Sequence, residues 1–204
     1  MKQSNLRKLE RYLFNHLSHN YKAAFFMADI VGVLIGVKPS CMRVISEKDL
    51  YKFDILRFCE LLKSMNLSVI FERRFVDGEY TLEFYVANTP EDIAHLRLLF
   101  KQLQQWSRDN NDKTKLNIEI GKALGYPQSA IEYYAAFSAS STSEESAKSH
   151  TQRMAKYYYY AHSEEHQNQE FAEYDRKINF AMDKFAPRSA KEMRKKYPNK
   201  RWLD

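Results

Sequence analysis

Val69-Ile70-Phe71-Glu72-Arg73-Arg74-Phe75-Val76-Asp77-Gly78-Glu79-Tyr80-Thr81-Leu82-Glu83-Phe84-Tyr85-Val86 reads as two runs of alternating side chains folded about one turn. Asp77-Gly78 favours a tight primed turn, because such turns need residues that tolerate positive φ. A two-residue turn pairs Phe75 with Tyr80, Arg73 with Leu82, Phe71 with Phe84 and Val69 with Val86. All but the Arg73 pair are wholly apolar, which commits this face to a core. The same register sets Glu72 opposite Glu83, which is unfavourable. It calls for a basic residue or another strand nearby, or for a longer turn. Two strands alone are marginal in water, so a third near 41–45 and covering helices are expected.

The flanking sequence supplies those helices. Leu6, Leu9, Leu13 and Leu17 recur at three- and four-residue spacing and predict a helix over 4–18. Residues 21–36 are apolar almost all round, so the second helix is central, and Gly36 and Pro39 stop it. Ser46-Glu-Lys-Asp49 opens a helix to about Met65. Thr89-Pro90-Glu91-Asp92 opens another to about Trp106, with threonine as cap and proline preorganised in the first turn. Gly125-Tyr126-Pro127 separates two helices within 114–137. The fold class is therefore α+β, mostly helical, with a small antiparallel hairpin or three-stranded sheet covered by helices. Ser138-Ala-Ser-Ser-Thr-Ser-Glu-Glu-Ser146 predicts a linker at 138–149. It divides a helical α+β core domain, 1–137, from a polar helical extension with a basic C-terminus, 150–204.

Net charge is +6 over 204 residues, and its placement says more than its total. Residues 1–45 and 141–204 are basic, while the centre is acidic or balanced. Lys184, Arg188, Lys191, Arg194, Lys195, Lys196, Lys200 and Arg201 face few acids, and Tyr197 and Trp202 lie among them. Cations with interleaved rings attract and stack on nucleic acid, although such a tail is also ordinary solubilising surface. Cys41 and Cys59 form no framework and read as small buried hydrophobes of a reducing compartment. Residues 23–37 are too short to span a bilayer and contain Asp29. A cytoplasmic protein without membrane insertion is expected.

Ile118 to Tyr134 resembles the helix-turn-helix family of DNA-binding motifs, with Gly121 at the helix crossing and Gly125 in the turn. The resemblance implies that the second helix enters the major groove and offers Gln128, Ser129 and Tyr133. The other reading of the same residues is an αα-corner in the core, since that helix holds no lysine or arginine. Leu124-Gly-Tyr-Pro127 followed by Ile131-Glu-Tyr-Tyr134 is similar to a signature of a poorly characterised prokaryotic family with a Gly-Tyr-Pro-x-Cys-Cys-like element. Gln128-Ser129-Ala130 stands where its cysteines would be, so no cysteine chemistry is implied.

Other constellations are weaker. Arg73 interrupts an apolar face and needs an acid or an anion; Asp29 is the candidate acid, and Lys38 and Arg43 are candidate partners in an anion site. His162 and His166, with Glu165 between, have the spacing of an inverted zinc-protease motif. Their polar surroundings read as a solvated helix face, so no metal is assigned. Tyr157 to Tyr160 must face all sides of a helix and offers a contact for a protein partner or a second copy. No glycine-rich phosphate loop, nucleotide fingerprint, serine elbow or Cys-x-x-Cys pair is present, and no cofactor is implied. The sequence thus points to a non-enzymatic binding protein, engaging nucleic acid or another polyanion through basic terminal regions. The alternatives are a small-molecule enzyme or sensor with an anion site near Arg73, and a protein-interaction subunit.

Overall fold

The computed structural model describes residues 3–76, 78–106, 114–140 and 166–198. Lys200, Arg201, Tyr157–Tyr160, His162, Glu165 and most of the expected linker lie outside those residues. The chain is α+β: helices surround a three-stranded antiparallel sheet of order β1-β3-β2. The strands are β1 (Ser40–Ser46), β2 (Ser68–Val76) and β3 (Glu79–Ala87).

The hairpin keeps the expected register throughout, including Phe71 opposite Phe84 and Val69 opposite Val86. Val76 lies opposite Glu79, and Gly78 sits at φ 84°, where a residue without Cβ carries no penalty. The expected third strand is β1, and it pairs with β3, so the second hairpin strand becomes the central one. Glu72 and Glu83 do lie opposite one another. Cations answer both: Arg97 and Lys101 hold Glu72, and Arg74 holds Glu83 at 2.7 Å, where the Tyr85 hydroxyl also donates at 2.8 Å.

Burial raises the Glu72 carboxyl, but Arg97 and Lys101 outweigh it and hold it below the usual range. A depressed carboxylate stabilises the fold above its unfolded pKa, and that contribution is lost as pH falls through the folded value. Urea midpoints of the wild type and Glu72→Gln should therefore differ at neutral pH and converge on acidification. A gap that persists at low pH would show that packing and not charge holds Glu72.

Helices cover both sheet faces. Phe84, Val86, Leu82 and Cys41 face α1 (Gln3–His16), α2 (Asn20–Leu34) and α4 (Ile55–Lys63). Tyr85 and Ala87 face Ile93 and Leu96 of α5 (Pro90–Trp106). The core commitment holds only over the inner part of the hairpin. Phe84 is fully buried, whereas Phe71 is 44% and Phe75 64% exposed, because the tip extends beyond the covering helices.

The helix expected from Ser46 to Met65 is broken. A short α3 (Glu47–Leu50) ends there, and Asp54 caps α4 by accepting the Arg57 amide at 2.9 Å. The break lets Phe53 turn into the aromatic cluster of Tyr12, Phe58 and Phe84.

The C-terminal helices belong to the same core. A short α8 (Gln167–Glu170) passes through a π segment (Phe171–Asp175) into α9 (Arg176–Phe185), followed by α10 (Pro187–Lys196). Tyr174, Ile178, Met182, Ala186, Ala190 and Met193 pack with Leu6, Leu13, Met27 and Ile30. Residues 171–196 are therefore not a separate polar extension. Their apolar residues recur every three or four positions and form a stripe that seals α2.

Candidate functional site

Two features of the core bear on function, and the first is a buried ion cluster. Asp29, on α2, is 4% exposed, and its carboxylate accepts from Lys38 on one oxygen and Arg43 on the other. Lys38 is itself 3% exposed. Burial alone would raise the Asp29 carboxyl, but Arg43 and Lys38 outweigh it and hold it below the usual range. Burial likewise disfavours the Lys38 ammonium, and Asp29 reverses that and keeps it protonated. Burial and Asp29 push the neighbouring Cys41 thiol up to about 12 although Lys38 and Arg43 pull the other way, so it is an inert packing group.

The turn Gly125-Tyr126-Pro127, between α6 (Thr114–Ala123) and α7 (Gln128–Ser140), closes over this cluster. Lys38 Nζ lies 5.6 Å from the Tyr126 ring, and Tyr126 meets Tyr174 edge to face. Gly125 takes φ 74°, and a Cβ there would lie 2.5 Å from Pro39 Cδ and 2.9 Å from the Val37 carbonyl. Both backbone strain and contact demand glycine. Gly125→Ala should destabilise the fold by about 1–3 kcal/mol, read from urea unfolding. An unchanged midpoint would mean the turn is free to move away from residues 37–39.

This geometry separates the residues expected to form an anion site. Lys38 and Arg43 are engaged by Asp29. Arg73 is on the opposite edge strand, across β3, about 10 Å away by interstrand spacing. It stacks on Tyr80 at 3.9 Å instead of meeting Asp29. Arg43 does line a small cavity of about 190 Å³ between α2 and β1, with Tyr21, Lys22, Phe25 and Asp49.

The helix-turn-helix candidates are placed as follows. Gly121 lies at the crossing of α6 and α7, where a Cβ would come within 2.8 Å of Ile131 Cγ1. Gln128 is exposed and donates to Glu132 at 2.7 Å. Ser129 is half-buried and donates to the buried Glu170, which occupies its hydroxyl, and Tyr133 is half-buried. His166 is exposed, and among the described residues no cluster of metal-binding side chains is found.

The second feature is the meeting of the chain ends. Gln3 donates to the Lys184 carbonyl at 3.3 Å, and Arg188 lies 4.0 Å over the Phe14 ring. Glu10 is 7% exposed and accepts from both the amide and the hydroxyl of Ser189, at 2.7 Å each, in the first turn of α10. A carboxylate is favoured there by the unsatisfied amides of the helix start. Positions 3, 7, 11 and 14 form one stripe of α1, and its two ends touch 184 and 188. Arg7 and Arg11, both exposed, therefore border the α9–α10 corner. On α10, Arg188, Lys191 and Lys195 form an exposed outer stripe, while Ser189, Ala190 and Met193 face inward. The acids here are largely occupied: Glu10 holds Ser189, and Asp183 pairs with Arg194 at 2.5 Å. Among the expected terminal cations Arg194 is thus spent internally, and Lys196 lies 5.0 Å from the Tyr21 ring.

Sequence reasoning identified the C-terminal cations but not Arg7 and Arg11 as their neighbours. The signal was the basic balance of residues 1–45, which says nothing of position. No family model, curated protein or solved structure matches the chain. No described helix is long and apolar enough to cross a membrane.

Proposed function

We propose that this protein binds nucleic acid non-enzymatically, through a basic face made by α1 and the α9–α10 corner. The observation that carries the reading is convergence: contacts between residues 3 and 184, 10 and 189, and 14 and 188 draw cations from both ends of the chain onto one surface. Arg7, Arg11, Lys184, Arg188, Lys191 and Lys195 supply the charge. Evenly spaced cations on helix surfaces follow a phosphate backbone and do not select bases. Binding is therefore expected to be electrostatic and indifferent to sequence.

The test is an anisotropy titration with a fluorescein-labelled duplex and a single strand of equal length. With the six named cations engaged, affinity for the duplex should fall about a thousandfold between about 50 and 200 mM salt. Absence of binding to both oligonucleotides at the lower salt would overturn the reading.

A further inference from the structure

β2 is an edge strand, paired only with β3 among the described residues. Alternate residues along it turn their N–H and C=O groups away from the sheet. Beside its first half runs a groove of about 420 Å³. Ser68, Val69 and Ile70 form one wall, Pro90, Ile93, Ala94 and Arg97 of α5 the other, and Lys63 and Leu67 close one end.

Several devices commonly protect an edge, and this one lacks them over 68–72. No proline interrupts the strand and the register runs without a bulge. The two arginines further along are both engaged, Arg73 on Tyr80 and Arg74 on Glu83. Lys63 and Arg97 are the charged residues that line the groove, and no acid lines it. Glu72 fixes Arg97 at the rim while leaving its side chain 41% exposed.

The geometry points to a docking site for an extended acidic peptide of a partner protein, which adds to β2 as a fourth strand. The exposed backbone groups supply the ladder, the apolar walls take alternate side chains, and Lys63 and Arg97 take a carboxylate. A second copy of this chain fits less well, since edge-to-edge pairing would bring its own Lys63 and Arg97 toward the same two cations. Nucleic acid offers phosphates to the rim but no strand to the ladder.

A phage library of random octapeptides, selected on the full-length chain, provides the probe. Selected peptides should be enriched in Asp or Glu among β-formers. A resynthesised winner should slow amide exchange at Ser68–Glu72, and methylating its bonding-edge nitrogens should abolish binding. Ala94→Trp, which fills the groove from an exposed position, and Lys63→Glu should each weaken it about tenfold or more, with the thermal midpoint unchanged. Selected peptides without acidic enrichment, or binding that leaves Ser68–Glu72 unprotected, would overturn the proposal. So would sedimentation showing that a dimer of this chain already protects that edge.

Discussion

Asp29→Asn should destabilise the protein by about 3–5 kcal/mol, the range for removing one partner of a buried ion pair. Asparagine keeps the size of the side chain but removes the charge that Lys38 and Arg43 share. The Lys38 ammonium is 3% exposed and has no route to water without opening the contact between residues 37–39 and Gly125. At this chain length each kcal/mol lowers Tm by about 2–4 °C, so a fall of roughly 6–20 °C is expected. Adding Lys38→Met to Asp29→Asn should recover much of it, because a buried apolar side chain of similar volume replaces an unpaired ion. Arg43→Gln should be milder, since the Arg43 side chain is 35% exposed. A loss below about 1 kcal/mol for Asp29→Asn would mean that water already reaches the cluster.

Neutralising Lys184, Arg188, Lys191 and Lys195 together as glutamines should weaken oligonucleotide binding by at least about a hundredfold near 50 mM salt, and reduce the dependence of log affinity on log salt by about 3–4. Substitution is the appropriate perturbation here. Truncation from 184 would remove Ala186, Ala190 and Met193 from the core and confound binding with unfolding. The four side chains named are exposed, so glutamine should leave Tm nearly unchanged. Affinity that persists with an unaltered salt slope would place the binding surface elsewhere on the molecule.

The hairpin was legible in the sequence because both of its determinants are local. Asp77-Gly78 sets the turn, and alternation from Val69 to Val86 sets the faces. The Glu72–Glu83 clash was legible too, but its remedy was not. Arg97 lies 25 residues from Glu72 and reaches it only because α5 covers that face of the sheet. The buried ion cluster shows the same limit. Asp29 was visible as a lone charge in an apolar helix, yet its partners proved to be Lys38 and Arg43 and not Arg73. Strand order decides that outcome, since β3 stands between Arg43 and Arg73.

The C-terminal helices were misjudged for a different reason. Ile178, Met182, Ala186, Ala190 and Met193 keep helical spacing, but the charges around them make the average composition polar. Periodicity, not composition, marks a helix that covers another. The basic residues themselves were plain in the sequence. Their proximity to Arg7 and Arg11 depends on contacts spanning almost the whole chain, such as Glu10 with Ser189, which no local pattern records.

Both chain ends contributing to one surface is tested most directly at the end not tied to the terminal block. Replace Arg7 and Arg11 with glutamine and measure duplex affinity across a salt series by anisotropy. The slope of log affinity against log salt should shallow by about 2, as it should when Lys191 and Lys195 are replaced instead. A slope identical to the wild type would contradict the account, leaving α1 a structural helix and the C-terminal cations to act alone.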